Sequence, residues 1–157
     1  MNSAETVDLA TLLGSGSRGQ TNVTPNRKVV VLNLCSQRQF STHGATTWHY
    51  YPVGPRALSQ VGPSLQDVTI HGGGKDLTAN FQWKLVGEKS LEGEGWASFS
   101  NDLLPAQTAN GATIGNAYST ASDFGLLIRF LVGIANVSGT AIEVGNITAY
   151  AALKFWT

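Results

Sequence analysis

The chain is poor in several residues from which functions are commonly built. It carries one cysteine, Cys35, in 157 residues, so no intramolecular disulfide can form and the fold must stand on packing alone. Charged residues make up 13%, against roughly 25% in soluble domains. Ten basic and ten acidic side chains cancel, leaving no overall field to recruit nucleic acid or an anionic membrane. The three histidines, His43, His49 and His71, form no close ligand pair with one another or with Cys35, and a zinc site needs three or four converging ligands. No metal, cofactor or nucleic acid is expected. No apolar run approaches the length of a membrane span, and the opening MNSAETVDLATLL lacks the basic start and apolar run of a secretory leader. The expectation is a chain made in the cytosol and left there, or assembled there into something larger, without membrane association. Acidic residues are missing from one long stretch: between Asp8 and Asp67 there are none, while Arg18, Arg27, Lys28, Arg38 and Arg56 all lie there. That stretch reads as a contact region for an acidic protein surface or as solvated loop side chains.

The length fits one domain with one core. Residues 1–26 differ from the rest. Spacing predicts a short helix over Ala4 to Leu13, with Val7, Leu9, Leu12 and Leu13 as apolar contacts, followed by the linker GSGSRGQTNVTPN. We read 1–26 as an extended N-terminal arm and 27–157 as the folded domain. Such an arm cannot bury enough apolar surface alone to offset its ordering entropy, so it needs a neighbour to be pinned.

From Lys28 onward the pattern is one of short β-rich runs. Lys28 to Cys35 is nearly continuously apolar and is expected to be buried on both faces. Thr46 to Val53 alternates, then meets Pro52 and a Gly54-Pro55 turn. Asp67 to His71 is expected to close at Gly72, Gly73 and Gly74, read as a hairpin turn using positive φ. Thr78 to Val86 sets Phe81, Trp83 and Leu85 against Asn80, Gln82 and Lys84, the period of a half-buried strand. Leu103 to Ala121 reads as loop. Phe124, Leu126, Ile128, Phe130, Val132 and Ile134 occupy alternate positions, which a strand places on one side and a helix would scatter. The opposite side, with Leu127, Arg129 and Leu131, is more apolar than a solvated face needs to be. Asn146 to Trp156 alternates again. Seven or eight strands with almost no helix predict an all-β fold, an antiparallel sandwich with a jelly roll favoured.

Motifs with known chemistry lack their context. GSGSRG has dinucleotide-binding glycine spacing but follows no strand and opens no helix. His71-Gly72-Gly73-Gly74 resembles an esterase oxyanion segment, yet no G-x-S-x-G elbow exists. Glu88, Glu92 and Glu94 are read as clustering in the loop between two strands, where KSLEGEG offers no apolar surrounding to raise a catalytic pKa. Three glycosylation sequons, at Asn22, Asn136 and Asn146, have no leader to deliver them to the glycosylation machinery. We therefore expect a protein that is not an enzyme. Trp48, Tyr50, Tyr51, Trp83, Trp96, Tyr118, Tyr150 and Trp156 offer aromatic surface, and Tyr51, Tyr150 and Trp156 fall on the more polar faces, where a lectin-like or subunit-contact patch would lie.

The segment SDFGLLIRFLVGIANVSGTAIEVGNITAYAALKFW, a long apolar strand, a Ser-Gly turn and a final strand ending in aromatics, resembles the closing strands of small jelly-roll cement or decoration proteins of tailed bacteriophage capsids. The resemblance implies a non-catalytic structural virion protein on the capsid surface. Its partners would be the major capsid protein or other virion subunits, and it would be a homo-oligomer, dimer or trimer. The contact residues expected are Val7, Leu9, Leu12, Leu13, Arg18 and Arg27 in and beside the arm, with Leu127, Arg129, Leu131 and Trp156 on the domain. Two rivals remain open at this level: a carbohydrate-binding lectin-like sandwich, and a small β-barrel or cupin-like enzyme with a histidine metal centre.

Overall fold

The computed structural model describes residues 6–8, 27–42, 47–59, 64–90, 95–120, 123–139 and 141–156. Strands β1 (Thr6–Asp8), β2 (Arg27–Ser41), β3 (His49–Ser59), β4 (Ser64–Lys75), β5 (Phe81–Ser90), β6 (Ala97–Ser98), β7 (Leu104–Gln107), β8 (Gly111–Ile114), β9 (Leu127–Asn136) and β10 (Val144–Trp156) form two sheets. The first is six-stranded, in the order β1-β3-β9-β5-β6, with β7 also pairing with β5; the second is four-stranded, β2-β10-β4-β8. Apart from the β5, β6, β7 run, successive strands from β2 onward lie in opposite sheets. That alternation makes the sandwich a jelly roll, as the sequence pattern predicted.

The core lies between the sheets and follows the two-residue period. Phe81, Trp83 and Leu85 of β5 and Ile128, Phe130, Val132 and Ile134 of β9 are buried from one side; Ile147, Ala149, Ala151, Leu153 and Phe155 of β10 and Val68 and Ile70 of β4 meet them from the other. Small residues face large ones where the sheets approach. At Gly72 an added Cβ would stand 2.8 Å from Cη2 of Trp83 and 3.2 Å from Cδ2 of Leu104, so the missing side chain is the room that the indole occupies.

Several expectations are corrected. The helix over Ala4 to Leu13 is not what Thr6–Asp8 forms: these residues make a parallel strand against Ala57, Leu58 and Ser59, where β-branched Thr6 and Val7 suit a pleated edge better than a helix. Leu9 to Leu13 lie outside the described residues. Strand β2 is not buried on both faces. It is an edge strand, and Val29 and Val31 are 57% and 64% exposed. Strand β3 runs through Pro52 and Gly54 to Ser59. Pro52 is tolerated because β1 covers only the far end of β3 and leaves an open edge there. Gly54, with φ of 75°, opens a bulge in which pairing jumps from Val53↔Phe130 to Leu58↔Ile128.

The glycines 72–74 do not turn either. They continue β4, and the left-handed residue is Asp76, with φ of 57°. The stretch read as loop contains β7 and β8, one in each sheet. Finally, β9 starts at Leu127, so Phe124 and Leu126 precede it; Leu126 is 42% exposed, and the fifth inward place in the strand belongs to Asn136.

Candidate functional site

Residue registry on the outer face of the second sheet builds a trough. Tyr150 pairs with His71 and His71 with Ile114 across β10, β4 and β8, forming one row; Gly73 sits in the next row between Thr148 and Ala112. The second row is low because Gly73 has no side chain and Ala112 only a methyl. The first row is a wall: the rings of His71 and Tyr150 stack at 4.7 Å with 6° between planes, and Ile114 is exposed. Gln37, Lys75, Asp76 and Asn110 also line this space of about 720 Å3. The only two non-glycine residues with positive φ among those described, Gln37 at 45° and Asp76 at 57°, both line it. Left-handed backbone at such residues is costly and is retained where the surroundings enforce it.

Hydrogen bonds fix the rim. The Gln37 amide N–H donates to Thr148 Oγ1 at 2.8 Å, and the Leu77 N–H donates to Asn110 Oδ1 at 2.9 Å. With its oxygen anchored, Asn110 presents its Nδ2 hydrogens as donors.

Beside the trough, at the other end of the same face, Val31 pairs with Ala152 and Val29 with Lys154. The result is an apolar strip on an edge strand, which no described strand pairs with on its outer side. Three buried side-chain polar atoms without a hydrogen-bond partner among the described residues, Lys28 Nζ, Gln66 Oε1 and Asp67 Oδ1, belong to this end of the sheet, where β2 and β4 begin and β10 ends.

A second polar cluster is structural. Asp123 is fully buried and accepts from Lys89 Nζ and Tyr118 Oη at 2.5 Å each, from the Ser100 N–H at 3.0 Å and from Ser100 Oγ at 3.3 Å. Burial alone would push its carboxyl up, but these donors together hold it well below the usual carboxylate range. Burial first, and then the Asp123 carboxylate, push the Tyr118 phenol up. The cluster pins the segments before β7 and β9 to β5. Among the described residues no group of three or more His, Cys, Asp or Glu side chains is arranged to hold a metal ion. Nor is any helix there long and apolar enough to cross a membrane.

No protein-family model and no curated protein matches the sequence. Among solved structures, the chain superposes on one in the infectious bursal disease virus Gx strain structure with a TM-score of 0.58 at 8% identity, covering 82% of this chain and 32% of that one. It superposes on the VP2 subviral particle of the same virus with a TM-score of 0.55 at 7% identity, covering 83% and 33%. This chain shares their fold. It spans about a third of their length, and the likeness is one of architecture.

Within that fold the sequence-predicted contact residues scatter. Leu9, Leu12, Leu13 and Arg18 lie outside the described residues, and Val7 sits in β1. Arg27 and Trp156 pair with each other at the ends of β2 and β10. Leu127 is half-buried at the start of β9. Arg129 is committed within the chain: its Nε and Nη2 donate to Glu88 Oε1 at 2.8 and 2.6 Å, and its guanidinium lies 4.3 Å from the Trp96 ring centre. Leu131 is 5% exposed, so the chain itself covers most of it. Glu92 and Glu94 lie outside the described residues, as does His43. Asn136 is buried and donates to the Ala141 carbonyl at 3.0 Å, a position closed to a glycan. Sequence reasoning missed Val29, Val31 and the trough. An unbroken run such as VVVL gives no sign of which strand is an edge, and three glycines read as a turn before they read as a strand.

Proposed function

We propose that the chain is a non-catalytic structural virion protein that binds the outer capsid surface and cements or decorates the shell by bridging neighbouring subunits, as the tailed-phage decoration proteins do. The observation that carries this reading is the jelly roll shared with chains of virus particles, with Val29 and Val31 exposed on a strand whose outer edge no other described strand covers. Apolar side chains beside free backbone N–H and C=O groups form a template for another chain. Residues 1–26, entering at Arg27, would add their contacts at this end of the sheet, together with Trp156; Leu127 would contribute from the other sheet. Each contact is small, and a homo-oligomer engaging several capsid subunits at once multiplies them through effective concentration.

The test is light scattering on the purified full chain and co-sedimentation with shells assembled from the major capsid protein of the same virus. A dimer or trimer that sediments with shells is expected, and V29D/V31D should reduce both properties without lowering the melting temperature. A chain that stays monomeric and does not sediment with shells overturns the reading.

A further inference from the structure

We propose that the trough on the second sheet is a binding site for a neutral oligosaccharide, a function additional to the assembly role and independent of it. The first argument is shape. A space of about 720 Å3 falls within the ~300–1,000 Å3 of small-ligand sites. It is a furrow crossing the strands, open to an extended chain of rings, with a floor left flat by Gly73 and Ala112. Those Cα–H and methyl groups suit the C–H face of a sugar ring.

The second argument is the distribution of polarity. Lys75 and Asp76 bring opposite charges to the same rim, so the trough favours neither anion nor cation. The other polar groups are the amides of Gln37 and Asn110, the hydroxyls of Thr113, Thr148 and Tyr150, and the His71 imidazole. Neutral donors and acceptors around an apolar floor match vicinal diols, whereas phosphate, sulfate or carboxylate ligands call for Arg or Lys clusters.

The third argument is preorganisation. Asn110 and Thr148 are already held by backbone amides, and the His71–Tyr150 stack fixes both rings. Groups fixed before binding lose less freedom on binding.

The experiment is saturation-transfer NMR on the full-length protein with maltotriose, mannotriose and a β-linked galactotriose, with sialyllactose as the charged control. At least one neutral trisaccharide should receive saturation, and sialyllactose should not compete with it. G73V fills the floor: an added Cβ there meets nothing nearer than 3.4 Å, from the Gly111 carbonyl, so the backbone accepts a β-carbon, and a β-branched residue suits an outward strand position. It should weaken binding about tenfold or more while leaving the melting curve and the oligomeric mass unchanged. Y150A, which removes half of the stack, should weaken binding as well and serves as the second variant. No transfer to any neutral sugar, binding of sialyllactose alone, or transfer indifferent to both substitutions overturns the proposal. So does a change of oligomeric mass in G73V, because the trough would then hold a protein neighbour. Loss of shell binding in V29D/V31D leaves the sugar readout untouched, so the two hypotheses fail separately.

Discussion

Replacing Asp123 by Asn is the sharpest test of how the loops are held. The substitution keeps the shape and removes the charge, setting an amide N–H₂ among groups that all donate: Lys89 Nζ, Tyr118 Oη, the Ser100 N–H and Ser100 Oγ. Removing one partner of a buried ion pair costs about 3–5 kcal/mol. The Lys89 side chain is 26% exposed, so water recovers part of its ammonium, and we expect about 2–3 kcal/mol. At ~2–4 °C per kcal/mol for a domain of this size, the melting temperature should fall by roughly 4–12 °C. Urea unfolding followed by the fluorescence of buried Trp83 reads the change directly. The pH dependence supplies an independent check. Because the folded carboxyl titrates below its unfolded value, its contribution is present above the unfolded pKa of about 4 and is lost as the pH falls through and below that value. Wild type should therefore lose stability on acidification more steeply than D123N does. An unchanged urea midpoint in D123N, or identical acid profiles for the two proteins, refutes this account of the cluster.

Two further outcomes follow from the packing. G72A drives a methyl into Trp83 and should cost about 1–3 kcal/mol, whereas G73A on the open face should stay within about 0.5 kcal/mol; equal melting temperatures for the pair would refute the close approach. The Cys35 thiol is pushed up to about 11 by burial, against the lowering influence of the Ala149 backbone and Arg38. Iodoacetamide at pH 8 should therefore label it only in denaturant, and rapid labelling of the native protein would contradict its burial.

Where one face of a strand is buried, the sequence was legible. Phe81-Trp83-Leu85 and Ile128-Phe130-Val132-Ile134 alternate because these positions face the other sheet, while the residues between them are half-exposed in β5 and, from Leu131 on, buried but small or aliphatic in β9. The pattern overran the strand at Phe124 and Leu126 because alternation does not encode where pairing starts; pairing with Ser59 and Ser90 at Leu127 does. Edge and centre could not be told apart in Lys28 to Cys35, since position in a sheet is a property of the neighbours a strand finds. The trough was illegible for a related reason. Its walls come from β10, β4 and β8, joined only by registry, and its floor is made by side chains that are absent. Gly72 and Gly74 face inward and Gly73 outward, so three identical letters perform two different tasks.

The pairing of β2 with β10 has a biosynthetic consequence. Among the described strands, β2 finds its hydrogen-bonding partner only in β10, which also separates β2 from β4. A ribosome must therefore have released everything from β2 through β10 before this half of the sandwich can zip. Such long-range closure is slow. The same pairing also makes closure of this sheet conditional on β10, since a chain interrupted before that strand lacks the element that joins β2 to β4.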